Sequence, residues 1–170
     1  MSQTDAFERL SVDQLSSEKV IELHDYWRAA RGDRQFPRRA DIDPADIVRL
    51  LPNLMLTEIE REPLRVWYRV VGTGVVARTG LDFTRRYLDD TPFADDNSAW
   101  RRLYEEMLET GEPIFGRDFV IMPDGAPLHS EFCMLPLARD GSTIDLCLAM
   151  EDYAAGDSFG TPRRIYPKLF

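Results

Sequence analysis

Between Val20 and Arg31 the apolar positions Val20, Leu23, Trp27 and Ala30 recur at helical spacing, with Ile21 beside the stripe and charged residues around the rest of each turn. The pattern predicts one amphipathic helix with an aromatic anchor, stopped at Gly32. Ser11 and Gln14 have capping-box spacing, and Ser16 and Ser17 offer a second start. Asp33 to Ile42 is charged, contains Pro37 and reads as a loop. Asp43 and Pro44 then suit the N-cap and first position of a short helix whose stripe is Ile47, Leu50 and Leu51, ended by Pro52.

From Leu54 the period shortens. Leu54 to Glu60 and Leu64 to Gly72 read as strands joined across Arg61, Glu62 and Pro63. In the second, Leu64, Val66, Tyr68 and Val70 share one face and Arg65, Trp67, Arg69 and Val71 the other. A short helix is predicted over Thr73 to Thr79, followed by the irregular LDFTRRYLDDTPF. Asp95 or Asn97 then caps a longer helix carrying Trp100, Leu103, Tyr104, Met107 and Leu108, stopped by Gly111 and Pro113. Three more strands are predicted, Ile114 to Met122, Leu128 to Leu137 and Thr143 to Tyr153, across the turns PDGAP and ARDGS. Strands interrupted once by helices indicate an α+β domain with an antiparallel sheet. No repeat or linker divides the chain, so residues 1–15 are expected as a flexible N-terminal segment, 16–153 as a single domain and 154–170 as a tail.

The last hairpin fixes which side chains share a face. A loop of Arg139, Asp140 and a left-handed Gly141 predicts Cys133 opposite Cys147, Phe132 opposite Leu148 and Met134 opposite Leu146. That register puts the two thiols within reach of a cross-strand redox pair. Two reduced thiols are the default in a cytoplasmic chain.

Charge narrows the partners. The 170 residues carry 21 Lys+Arg against 30 Asp+Glu, a net charge of -9. That sign opposes a phosphate backbone, so no nucleic-acid partner is expected. At this length roughly 70% of the unfolded surface is buried on folding, enough for a core without disulfides or metal. Two cysteines and two histidines lack the close spacing of a zinc site. With no basic-then-apolar leader and no run of about 18 apolar residues, the chain is expected in the cytoplasm with no membrane insertion.

Five strings in order then carry a resemblance: DYWRAARG at Asp25 to Gly32, the segment from Pro37 through ADIDPADIVRLLPNL to Leu54, YRVVGTG at Tyr68 to Gly74, ETGEP at Glu109 to Pro113, and PL at Pro136. Together they resemble a family of short, single-domain bacterial PAS proteins, over about Ser16 to Glu151. The resemblance implies a five-stranded antiparallel sheet with helices on one side plus the N-terminal amphipathic helix. It also implies a regulatory role and no catalysis: a small-molecule sensor or signalling adaptor, acting in trans on a partner protein. Arg85 in DFTRRYL departs from the family, whose members commonly carry glycine after the threonine.

In such a fold Tyr68, Val70, Phe83, Tyr87, Trp100, Phe119, Phe132, Met134, Leu146 and Leu148 are expected around a ligand cavity between helices and sheet, with a filled core as the alternative. Arg85 and Arg86 beside Tyr87 suit an anion, so the expected ligand is small and either apolar or anionic. No cofactor is expected. A flavin photosensor needs its reactive cysteine in an Asn-Cys-Arg context on the helical side, and a haem needs an axial ligand where Gly72 to Gly111 has no histidine. Val20, Leu23, His24 and Trp27 are expected at the interface of a homodimer. A second reading is a cone-shaped isomerase or dehydratase using His129 and Glu131, which share a strand face, as acid and base. A third is a ligand-free adaptor. Asp89, Asp90, Asp95 and Asp96 lack the spacing of a calcium loop.

Overall fold

A computed structural model describes residues 7–91, 97–121, 125, 127–154 and 164–165. Its strands are β1 (Glu8–Leu10), β2 (Leu54–Arg61), β3 (Leu64–Val71), β4 (Ile114–Ile121), β5 (Pro127–Leu137), β6 (Leu146–Ala154) and β7 (Arg164–Ile165). The helices are α1 (Glu18–Arg31), α2 (Thr73–Thr79) and α3 (Asn97–Thr110). The strands form one sheet in the order β1-β4-β5-β6-β2-β3, antiparallel throughout, with β7 parallel to β4. The five predicted strands are β2 to β6; β1 and β7 extend them along β4. The Asp95 cap, Asp96 and most of the PDGAP turn lie outside the described residues.

Local signals explain the helices. Ser17 Oγ accepts from Val20 N at 3.1 Å, and Gly32 closes α1 at φ 57°. Asp43 accepts from Ala45 N at 2.9 Å ahead of Pro44, but Pro44–Asn53 is a kinked 3-10 segment, not an α-helix. Its Ile47 and Leu50 are buried while Leu51, expected in the stripe, is 36% exposed. At Gly72 a Cβ would stand 2.4 Å from the Pro52 carbonyl oxygen, so YRVVGTG needs glycine where this segment passes.

The sheet is covered on both faces. Its inner face, including Met55, Ile59, Val66, Val71, Ile114, Phe132, Met134 and Ala149, packs with Leu103, Tyr104 and Met107 of α3. On the outer face Leu54, Leu56, Phe115, Leu135, Leu146, Leu148 and Met150 pack with Val20, Leu23 and Trp27 of α1 and with Ile47 and Leu50. Trp27 Nε1 donates to the Pro136 carbonyl at 2.9 Å. The stripe expected at a homodimer interface is therefore consumed inside the chain: Val20, Leu23, His24 and Trp27 are 0%, 0%, 7% and 2% exposed.

Two further expectations change here. Residues 7–15, placed in a flexible segment, instead supply an edge strand, and Phe7 is buried 4.4 Å from the Trp100 ring centroid. The Ser11–Gln14 box closes the 3-10 turn Val12–Gln14 and not the start of α1. Among the described residues no helix is long and apolar enough to cross a membrane.

The registers decide which residues face inward. Leu137 pairs with Leu146 across a loop from Ala138 to Asp145, longer than expected and held by Asp140 Oδ1 accepting from Ser142 N and Thr143 N at 2.8 and 2.7 Å. Cys133 consequently faces Met150, and Phe132 faces Glu151. An odd displacement turns β6 over, so Leu146 and Leu148 point outward. Between β2 and β3 the pairing shifts from Leu56↔Val70 to Thr57↔Tyr68, leaving Arg69 as the extra residue of a β-bulge. Tyr68 and Val71 thus face inward, while Val70 is 50% exposed on the outer side.

Candidate functional site

The inner face of the sheet, α2, α3 and the segment 81–88 surround a cavity of about 60 Å³. Its apolar wall includes Met55, Phe83, Leu88, Trp100, Phe132 and Met134. Gly116, opposite Phe132, has no side chain because a Cβ there would lie 2.7 Å from the edge of that ring. Trp100 and Phe132 meet at 5.1 Å, and Tyr68 meets Phe83 edge-on at 4.7 Å.

The polar groups come from three strands and a helix. Tyr68 of β3, Tyr104 of α3 and Glu151 of β6 line the cavity. The Tyr104 hydroxyl lies 3.1 Å from Thr57 Oγ1 of β2. Burial pushes the Tyr68 and Tyr104 phenols up, and the neighbouring Glu151 carboxylate and Cys147 push the same way. Glu151 is itself raised by desolvation, opposed by the hydrogen bond that Tyr153 donates to its Oε2 at 2.5 Å. A neutral wall with one desolvated carboxyl at its polar end is an arrangement for holding a small molecule.

A family model described as a PAS domain matches residues 15–150. The chain belongs to the PAS family. Among solved structures, this PAS fold is similar to VqmA bound to DPO, at 15% identity and TM-score 0.52 over 66% of this chain and 57% of that one. It is also similar to VqmA of Vibrio cholerae in a complex with ligand and DNA, at 16% identity and TM-score 0.51 over 64% and 49%. The VqmA dimer without target DNA matches at 15% identity and TM-score 0.50, over 65% and 50%. This PAS chain spans about half the length of these structures, and at such identities the likeness is one of fold. No curated protein matches the sequence.

Within the PAS fold the expected ligand residues separate. Tyr68, Phe83, Trp100, Phe132 and Met134 line the cavity. Val70, Leu146 and Leu148 do not, for the register reasons above. Val70 and Leu148 instead border a separate apolar depression of about 280 Å³ on the outer face, with Leu51 and Leu56. Tyr87 lies at the sheet edge, its ring 4.8 Å from Trp67 and 3.4 Å from the Arg65 guanidinium, its hydroxyl donating to Glu60 at 2.8 Å. Phe119 stacks on His129 at 3.9 Å and so belongs to the outer face with it. The lining residues missed are Met55, Thr79, Leu88 and Tyr104, together with Ala149 and Glu151 of β6 and the neighbouring Cys133 and Met150. Tyr104 was legible as part of the α3 stripe; Glu151 emerges only once it is placed opposite Phe132.

The other candidates also find places. Arg85 and Arg86 are exposed, and Arg85 adopts φ 62°, a left-handed conformation that suits glycine, the residue the resemblance implies there. Cys133 faces outward and Cys147 inward, which removes the cross-strand pair. Burial raises both thiols, Cys147 to about 12. His129 and Glu131 share a face as expected, but neither lines the inner cavity. Glu131, 4% exposed, accepts from Ser16 N at 2.9 Å, Ser17 N at 2.7 Å, Ser16 Oγ at 2.8 Å and Arg117 Nε at 3.1 Å. It anchors the start of α1. Asp152 adds a second tie, accepting from Ser17 Oγ at 2.7 Å and Lys19 Nζ at 3.1 Å. Among the described residues no cluster of His, Cys, Asp or Glu suits a metal.

Proposed function

We propose that this PAS chain is a non-enzymatic regulatory sensor, whose inner cavity takes a small molecule and whose state is read in trans by a partner protein in the cytoplasm. The observation that carries the reading is the lined cavity itself, where a filled core was the alternative. About 60 Å³ is room for roughly four to six water-sized groups, which fits a small metabolite. Typical sites for larger ligands enclose about 300–1,000 Å³, so flavin and haem would require the helices to move apart. Glu131 has its oxygens committed to α1 and Arg117, which argues against its use as an acid or base. The net charge of -9 favours a metabolite or protein over nucleic acid as the partner.

The test is a fragment titration followed by the methyl resonances of Met55 and Met134, paired with the cavity-filling variant Ala149→Leu. Saturable shifts in the parent that vanish in the variant would support the sensor. Fragments that leave both methyls unmoved would favour a ligand-free adaptor. That second reading rests on the outer depression, where half-exposed Val70 gives a partner or a second copy an apolar contact.

A further inference from the structure

We propose that the polar end of the inner cavity, built from Glu151 with the hydroxyls of Tyr68 and Tyr104, selects a small organic cation, a protonated amine, as its ligand. This rests on reading the cavity as a sensor site. The geometry is that of a carboxylate brought to an aromatic chamber without a counter-charge. Glu151 accepts its hydrogen bond from Tyr153, a neutral phenol, and among the described residues no Lys or Arg pairs with it. The groups around the polar end from the packed elements are Thr57 of β2, Tyr68 of β3, Tyr104 of α3 and Cys147 of β6, and none is cationic.

A desolvated carboxylate without a cation is costly to the folded chain, and a ligand ammonium removes that cost by forming the missing pair. The rings of Tyr68, Phe83, Trp100 and Phe132 suit the same ligand, since aromatic faces attract cations. An anion meets the opposite situation. Arg85 and Arg86, the side chains expected to hold one, are exposed and do not line the cavity, and Glu151 repels it. The cavity thus favours a cation where an apolar or anionic ligand was expected.

Three probes of nearly equal shape separate charge from fit: isobutylammonium, isobutanol and isobutyrate, each titrated into the full chain at neutral pH while the Met55 and Met134 methyls are observed. Isobutylammonium is expected to bind at least about tenfold more tightly than isobutanol, with isobutyrate weakest. Glu151→Gln is expected to retain isobutanol and lose the preference. Equal affinities for the amine and the alcohol, a preference for isobutyrate, or an unchanged preference in the variant would overturn cation selection while leaving the sensor intact. If none of the three probes moves either methyl, both readings fall.

Discussion

Phe132 and Glu151 stand directly opposite each other on β5 and β6, and both face the inner cavity. One supplies an apolar wall and the other a carboxyl whose proton affinity burial has raised. A charge kept in that position opposes folding unless something neutralises it.

Glu151→Gln is accordingly expected to raise the melting temperature of the ligand-free protein. Because the folded carboxyl binds its proton more tightly than the unfolded one, its favourable contribution is full below the ordinary glutamate value of 4.5 and is lost as pH rises through the folded pKa. The advantage of the variant should therefore be largest in neutral and alkaline buffer and close on acidification. Melting curves of both proteins across that range check it; a gap that widens toward acid would contradict the assignment.

Glu131→Ala should be destabilising. It removes the acceptor that the Arg117 guanidinium shares with the amides of Ser16 and Ser17; Arg117 keeps the Gln14 carbonyl and Ser16 Oγ, so the expected loss is about 1–3 kcal/mol from the orphaned donors. Urea denaturation gives the magnitude. Hydrogen exchange should show the first turn of α1 opening before the sheet does.

Trp27→Phe keeps a ring in the outer core but removes the donor to Pro136. The expected cost is about 1–3 kcal/mol, with no change in the number of subunits, because the indole is buried within its own chain. Light scattering together with chemical denaturation reads both quantities. A change in subunit number without loss of stability would return α1 to an interface.

Arg85→Gly should stabilise the chain by up to about 1 kcal/mol, since glycine adopts φ 62° without the steric cost a side chain carries, less the entropy it adds to the unfolded state. Arg85→Val should destabilise it. Thermal melts of the pair give opposite signs if the left-handed turn is real in solution.

The order of strands and helices was legible because helical stripes and turn residues signal locally. Face assignment was legible only in part, and β5 and β6 show why. Phe132 to Leu135 and Leu146 to Met150 are apolar on both sides, as a sheet covered on both faces requires. With no polar–apolar alternation to fix parity, the inward set depended on the length of the loop from Ala138 to Asp145. The same limit hid the bulge at Arg69, which sends Tyr68 inward and Val70 out. For α1, the stripe of Val20, Leu23 and Trp27 announced burial but carried nothing about whether the covering surface belonged to its own sheet or to another copy. Glu151 looked like any polar residue near a strand end until its partner across the ladder was known.

Glu151 and Asp152 are consecutive, and strand alternation sends one into the cavity and the other to the start of α1 through Ser17 and Lys19. At this point the partition between the two layers is a single peptide unit. Whatever reorients that unit to suit the cavity must also tilt the hydrogen-bonded seat of α1, so an event in the interior has a route to the opposite surface that crosses only the thickness of the sheet.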